Sequence, residues 1–128
     1  MSGRFDVIDE VSIEALVRAF YAKARRDPAL GPIFEAAVDD WEAHFTTLTR
    51  FWSSVMLTSG RYKGDPVGAH RPHPIRPELF ERWLVLWGET AEELFEPGLA
   101  GAFRGRAERI GESLKLALFF RLEPAGSD

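Results

Sequence analysis

The sequence predicts an all-α protein, and three observations support this prediction. Apolar residues recur at i, i+3, i+4 and i+7 along four long stretches, which is the spacing of amphipathic helices. Proline and glycine interrupt the chain between these stretches, and no stretch alternates for long enough to form a strand. The 128 residues suffice for one core but not for two domains of ordinary size. We therefore expect a single domain over residues 1–128, with its core at about 8–122 and a polar tail at 123–128.

Composition narrows the class of protein before any motif is considered. Apolar residues make up 45% and charged residues 28%, as in ordinary soluble globular proteins. The absence of cysteine excludes disulfides, thiolate catalysis and zinc–thiolate sites. A net charge of −4 argues against broad binding of nucleic acid. No stretch has the length of a membrane span or the pattern of a secretory signal, so we expect a cytoplasmic protein with no membrane partner.

The first helix is predicted to begin at Ser12 as N-cap, with Val11 packed against Leu16 as a hydrophobic staple. Its apolar stripe runs to about residue 27 and includes Tyr21. The tyrosine hydroxyl is therefore expected inside the protein, where it needs a hydrogen-bond partner. Considered alone, Tyr21 fits an ordinary core tyrosine.

Two further helical segments come before the middle of the chain. A short helical turn is expected at residues 30–34, because proline suits the start of a helix. A longer helix is expected to open at Asp39, with Glu42 at capping-box spacing, and to close near Gly60. His44 lies in its apolar stripe, where a lone histidine is usually a packing residue.

Two long helices are predicted in the second half of the chain. Pro77 begins the first, which runs up to Pro97, and the second covers about Leu99 to Leu122. Trp83 carries an N–H donor into the apolar stripe of the first of these helices. By itself, Trp83 also fits core packing.

The segment 60–77 between these helices has an unusual composition. It holds two of the three histidines, four of the eight prolines and four basic residues. The prolines prevent a long helix, so His70 can lie only on a short turn. Against the four basic residues stands only Asp65, a net +3, which leaves −7 on the rest of the chain. An acidic group would therefore bind favourably beside this segment.

Haem accounts for both the histidine and the charge of this segment. Haem iron takes an imidazole as axial ligand, and the two haem propionates favour basic or hydroxyl partners. The candidates for holding the propionates are Arg61, Tyr62, Lys63 and Arg71.

Seven short motifs follow one another along the chain. They are FYAK at 20–23, LGPIF at 30–34, WEAH at 41–44, FW at 51–52, YKG at 62–64, GAH at 68–70 and FERWL at 80–84. Each motif is weak, but their order and spacing together resemble the group III truncated haemoglobins over about residues 8–120. The resemblance implies a shortened globin with a two-over-two helical sandwich around haem b.

The resemblance also implies roles for individual residues. His70 would be the proximal ligand of the haem iron, and the distal side would be lined by Tyr21, His44 and Trp83. The apolar residues that would complete the pocket are Phe20, Phe34, Leu48 and Phe51. His73, three residues after His70, is the alternative axial ligand. We prefer His70, which follows two small residues, whereas His73 stands between prolines.

We expect such a pocket to bind oxygen, nitric oxide and carbon monoxide. Donors from Tyr21 and Trp83 would retain oxygen too tightly for delivery, which favours redox or detoxification chemistry on nitric oxide or peroxide. That chemistry needs an unidentified reductase. Whether the protein is an enzyme, peroxidase-like or nitric oxide dioxygenase-like, is left open by the sequence.

Three alternatives remain at this stage. His44 could itself bind the iron, which would give a six-coordinate haem protein for electron transfer or sensing. A non-haem metal site could use His44, His70 and His73. A helical interaction module without a cofactor is the third alternative.

Overall fold

The protein is a bundle of helices. The computed structural model describes residues 3–73 and 75–119. In chain order the helices are α1 Glu10–Ala24, α2 Gly31–Ala37, α3 Trp41–Leu57, α4 Pro66–His70, α5 Pro77–Leu94 and α6 Pro97–Phe119. Across the described residues the β-structure is one isolated bridge between Phe5 and Phe95. The predicted all-α class is confirmed, whereas the predicted tail and the predicted helix end at Leu122 lie outside the described residues.

The start of α1 differs from the prediction. Asp9, not Ser12, is the N-cap: its carboxylate accepts a hydrogen bond from the Ser12 N–H at 2.8 Å. Ser12 Oγ in turn accepts one from the Asp9 N–H at 2.9 Å. This reciprocal capping box satisfies two backbone donors at once, so the helix begins three residues earlier. Val11 is 72% exposed, and the predicted staple is therefore wrong.

The ends of α3 are also shifted. The N-cap is Asp40 instead of Asp39, and its carboxylate accepts from the Ala43 N–H at 3.1 Å. The helix stops at Leu57 because Thr58 takes a left-handed conformation with φ of 53°, before Gly60 is reached. Adjacent capping residues are hard to tell apart from sequence, since both present a carboxylate to the same turn.

Two pairs of helices form the body of the protein. Helix α1 packs against α3, α5 packs against α6, and the pairs meet through α1 and α5. The core between them is built from large side chains that are fully buried: Ile13, Leu16, Val17, Phe20, Trp52, Trp87, Phe95 and Phe103. No helix in the described part of the chain is long and apolar enough to cross a membrane.

The corner between α1 and α2 is tied to α5 by Asp27. Its buried carboxylate accepts from the N–H groups of Ala29 and Leu30, both at 3.0 Å, and from Arg82 Nε at 2.7 Å. Burial alone raises the pKa of a carboxyl, but the N–H groups and the guanidinium outweigh it and lower the pKa of Asp27. Asp27 thereby holds α2 beside the part of α5 that carries Trp83.

Candidate functional site

A cavity of about 300 Å³ opens between the helix pairs, and all six helices contribute to its wall. The wall is mostly apolar, with a few polar groups directed into it, as in small-molecule and cofactor sites. The lining residues that carry a polar group are Tyr21, His44, Thr47, Trp52, Tyr62, His70, His73 and Trp83. The cavity thus brings together the three predicted distal residues and both candidate axial ligands.

Tyr21 and His44 form one hydrogen-bonded pair on the α1 and α3 side. The Tyr21 hydroxyl and His44 Nε2 are 2.9 Å apart. Tyr21 is 4% exposed, and burial raises its pKa, so the phenol keeps its proton. Burial also lowers the pKa of the His44 imidazole, which favours the neutral ring at physiological pH. The pair is therefore uncharged, and either group can donate to the other depending on the histidine tautomer.

Aromatic neighbours fix the orientation of the Tyr21 ring. Phe34 and Phe20 meet it edge-on, with ring centroids 5.1 and 5.0 Å away. Phe34 lines the cavity, whereas Phe20 is 1% exposed and lies behind the wall. Phe20 also contacts Trp83, with centroids 6.5 Å apart. Phe20 therefore supports Tyr21 and Trp83 from behind.

His70 is the last residue of the short helix α4. Its Nδ1 lies 2.6 Å from the carbonyl oxygen of Pro66. Since a carbonyl can only accept, Nδ1 carries the proton and Nε2 keeps its lone pair. A histidine ligand commonly has this arrangement, in which a backbone carbonyl sets the tautomer and orients the ring.

His73 also lines the cavity. Its backbone closes the turn after α4, since its N–H donates to the His70 carbonyl at 3.2 Å and its carbonyl accepts from the Ile75 N–H at 2.8 Å. Both histidines thus reach the same wall, and His70 is the one whose ring is oriented by a described hydrogen bond.

Tyr62 belongs to the rim of the cavity. Its N–H donates to Ser54 Oγ at 2.9 Å, and its ring meets Phe51 edge-on at 5.1 Å. Burial and the nearby Asp65 carboxylate raise the pKa of Tyr62. A methyl group added at Gly64 would lie 2.5 Å from the Tyr62 hydroxyl, so glycine is needed there for this packing.

The basic candidates lie outside the cavity wall. Arg61, Lys63 and Arg71 are exposed, and Arg61 Nε is 3.5 Å from a carboxylate oxygen of Glu10. Lys63 follows the lining residue Tyr62, and Arg71 follows the lining residue His70. Their side chains are therefore attached next to the cavity without forming its surface.

The sequence and the structure of this chain are similar to those of the same group of known proteins. No family model matches the chain. The chain is 32% identical over 121 residues to the group 3 truncated hemoglobin ctb of Campylobacter jejuni subsp. jejuni, covering 91% of this chain and 95% of the relative. The crystal structure of a group III truncated hemoglobin from Campylobacter jejuni superposes with a TM-score of 0.85, at 32% identity and the same coverage. The chain belongs to the group III truncated haemoglobins.

This membership confirms the fold that the motifs predicted and implies a haem globin that binds small ligands. The residues of this truncated haemoglobin suit haem. The apolar walls of the cavity hold an imidazole whose Nδ1 donates to a backbone carbonyl, and a buried hydroxyl–imidazole pair. By contrast, the described residues contain no group of three or more His, Asp or Glu side chains spaced to hold a metal ion directly.

Several lining residues of this truncated haemoglobin were not predicted from its sequence. Thr47 could have been found, since it shares the helical spacing of His44, Leu48 and Phe51. The other unpredicted lining residues are apolar and include Ile33, Val38, Trp52, Ile75, Leu79, Phe80, Ile110 and Leu114. A core position and a cavity wall have the same apolar pattern in sequence.

Proposed function

We propose that this protein holds haem b in the cavity, with His70 as the axial ligand of the iron. The observation that carries the proposal is the hydrogen bond from His70 Nδ1 to the Pro66 carbonyl, which leaves Nε2 available at the cavity wall. Haem supplies an iron centre that binds oxygen, nitric oxide and carbon monoxide and undergoes one-electron redox changes. The proposed propionate partners are Tyr62 at the rim, Lys63 next to Tyr62, and Arg71 next to His70.

The proposed role of the distal residues is to retain a bound ligand. Tyr21 offers an O–H donor and Trp83 an N–H donor from the cavity wall. A diatomic ligand that has gained negative charge accepts charge-assisted hydrogen bonds worth about 1.5–3 kcal/mol each. Each such bond slows ligand dissociation by roughly tenfold to a hundredfold. Such retention suits chemistry on nitric oxide or peroxide, with electrons from a reductase, better than oxygen delivery.

We propose five-coordinate iron in the resting state. His44 Nε2 is engaged with the Tyr21 hydroxyl at 2.9 Å. Whichever group donates, Nε2 has no free lone pair for a metal while this bond exists. Six-coordination through His44 Nε2 would therefore require breaking the hydrogen bond of a buried phenol, which is costly.

The ultraviolet–visible spectrum tests these proposals together. We expect a strong Soret band after addition of hemin, a high-spin ferric spectrum, and a stable oxygenated form of the ferrous protein. A low-spin ferric spectrum would instead favour His44 on the iron. Absence of any Soret band would rule out the haem site.

Two matched variants test the choice of axial ligand. His70→Ala is expected to abolish stable haem binding, and His73→Ala is expected to keep it, since the ring of His70 is oriented for ligation. Haem titrations followed by absorbance measure both. The reverse result would assign the ligand to His73.

A further inference from the structure

Three of the four tryptophans stack on one another beside the cavity. The ring centroids of Trp83 and Trp87 are 6.1 Å apart with planes at 15°, and those of Trp87 and Trp52 are 4.5 Å apart with planes at 20°. Trp83 and Trp87 lie one helical turn apart on α5, and Trp52 comes from α3. We call these three residues the tryptophan column. Its outer members Trp83 and Trp52 line the cavity, and Trp87 lies between them, outside the cavity wall.

The indole N–H of Trp87 is unusual. Trp87 is 2% exposed, and its Nε1 has no hydrogen-bond partner within residues 3–73 and 75–119. A buried donor without a partner is rare in folded proteins and calls for an explanation, one of which is a redox role.

We propose that the tryptophan column is a one-electron reservoir for the haem, used when a hydroperoxide oxidises it. This inference rests on the proposed haem site, because Trp83 and Trp52 would face that haem from the cavity wall. The contact between the three nearly parallel rings lets a missing electron be shared among them. The column would then be oxidised in place of Tyr21, another oxidisable side chain on the proposed distal wall.

Oxidation of the bound haem by a hydroperoxide would be a two-electron reaction, of which the column would supply one electron. A hydroperoxide, ROOH, would become ROH and water by taking up two protons from the solvent and two electrons, both of which ferric haem bound in the cavity would supply. An indole of the column returns one electron to the haem and becomes a cation radical, with no bond formed or broken in the column. Two equivalents of an added one-electron reductant such as ascorbate would close the cycle, one supplying the second electron to the haem and the other restoring the column.

The unpaired N–H determines which form of the radical Trp87 can take. An oxidised indole readily loses its N–H proton to an acceptor, but no protein group among residues 3–73 and 75–119 accepts a hydrogen bond from Trp87 Nε1. The proton therefore stays, and the ring carries a positive charge. Burial disfavours this charge, whereas the flanking indole faces of Trp52 and Trp83 favour it through cation–π interaction. A positive charge on Trp87 that is not fixed there by deprotonation can be shared with the two flanking rings.

The experiment uses the haem-loaded protein, prepared with normal and with ring-deuterated tryptophan. Each sample is mixed with hydrogen peroxide and frozen for electron paramagnetic resonance, and a parallel sample is mapped for oxidised residues by peptide mass spectrometry. We expect a protein radical whose lines narrow on deuteration, and oxidation at Trp52 and Trp87, which are only 1% and 2% exposed. Peroxide acting from solvent would instead modify the half-buried Trp41 and Trp83 and spare the two buried rings.

Two matched variants localise the radical. Trp87→Phe is expected to lower the tryptophan signal severalfold. Trp41→Phe is expected to leave it unchanged, since the ring of Trp41 contacts Tyr21, His44 and Phe45 but none of the three rings of the column.

Two results would overturn the reservoir but leave the haem site standing, provided that the Soret band is normal and peroxide is consumed. One is a radical on tyrosine alone, and the other is that Trp52 and Trp87 remain unmodified. A preparation without a Soret band overturns both. The mapping of the unsubstituted protein decides the matter even if Trp87→Phe fails to fold.

Discussion

Tyr21 and His44 are the residues whose chemistry depends most on burial. In water a histidine titrates near neutral pH, but here burial lowers the pKa of His44 while it raises the pKa of Tyr21. Both groups therefore stay neutral, and their 2.9 Å hydrogen bond joins two groups that exchange donor and acceptor roles without changing charge. If Tyr21 and His44 line the distal side of a haem as proposed, the pair can offer a proton or a donor to a ligand without holding a buried ion.

Ligand retention can be measured at single distal residues. We expect Tyr21→Phe and Trp83→Phe each to speed oxygen dissociation by roughly tenfold to a hundredfold, because each removes one donor at the cavity wall. Stopped-flow displacement of oxygen by carbon monoxide measures the rate. Val85→Ala, on an exposed position of α5, serves as the control and should dissociate at the parent rate. Parent-like rates in both phenylalanine variants would contradict the donor role.

The lowered pKa of His44 also predicts a pH dependence of stability. At pH values below its ordinary value of 6.5, the unfolded protein protonates this histidine more readily than the folded protein does. The free energy of unfolding should therefore fall as pH decreases from 6.5 towards the lower folded pKa, and then level off. Urea unfolding of the haem-free parent and His44→Gln at pH 7.5 and 5 measures this.

Comparison with His44→Gln isolates the effect, because the other two histidines are present in both proteins. The stability difference between parent and variant should favour the parent more at pH 7.5 than at pH 5. An equal difference at both pH values would show that the folded protein does not hold His44 neutral.

At the scale of the helices, the close contact between α1 and α2 requires a glycine at position 31. Gly31 begins α2 directly against the end of α1, and its N–H donates to the Asp27 carbonyl at 2.8 Å. A methyl group added there would lie 2.7 Å from the backbone carbonyl oxygen of Arg25. That oxygen belongs to the main chain and cannot move aside as a flexible side chain can. The α1–α2 corner, which places Leu30, Ile33 and Phe34 on the cavity wall, therefore depends on this glycine.

A pair of glycine substitutions tests this close approach. We expect Gly31→Ala to destabilise the protein by about 1–3 kcal/mol, in the range of overpacking. Gly101→Ala, inside α6 with open space around the new methyl group, should instead stabilise it by about 0.5–1 kcal/mol, through higher helix propensity. Chemical denaturation of both variants measures the difference. Equal effects of the two substitutions would mean that the corner can relax around the added carbon.

At the scale of the whole molecule, the cavity joins all six helices. The Tyr21–His44 pair belongs to α1 and α3, His70 to α4, and Trp83 to α5, while α6 closes the wall with Ile110 and Leu114. A group bound there would contact both helix pairs and tie the short α4 to them. Binding to the folded state alone stabilises the fold in proportion to the logarithm of ligand concentration.

Thermal unfolding with hemin tests this coupling. We expect hemin to raise the Tm of the parent and of His73→Ala, with a gain of about 2.7 kcal/mol once hemin is a hundredfold above its dissociation constant. His70→Ala should show little gain, because it lacks the oriented imidazole. Differential scanning calorimetry with and without hemin provides the measurement. A similar gain in His70→Ala would mean that the apolar walls bind hemin without this ligand.

Much of the helical pattern could be read from the sequence because it is local. Pro77 marks the start of α5 as predicted, since proline suits the first turn of a helix and disrupts later ones. The N-caps of α1 and α3 were misplaced, because Asp9 competes with Ser12 and Asp40 with Asp39 for the same backbone donors. Only the folded geometry shows which side chain reaches the N–H groups.

Some residues of the candidate site were placed correctly from the sequence, and the positions of others were shown only by the structure. Tyr21, His44 and Trp83 were expected on one wall through the family resemblance, and the structure brings them to one cavity. Phe20 was expected in the pocket, but it lies behind Tyr21, because an apolar stripe does not distinguish its cavity-facing edge from its core-facing edge. Arg61, Lys63 and Arg71 were expected near the propionates and are attached beside the cavity, where their role stays a prediction.

The sequence by itself determined the helices, the loop rich in proline and histidine, and, through the order of its motifs, the family. These features depend on residue type and local spacing, which are present before the chain folds. Tertiary structure alone decided the protonation of the Tyr21–His44 pair, the tautomer of His70, and the stacking of Trp83, Trp87 and Trp52. Each of these depends on which groups are brought together and which are removed from water, and residues distant in sequence meet only in the folded chain.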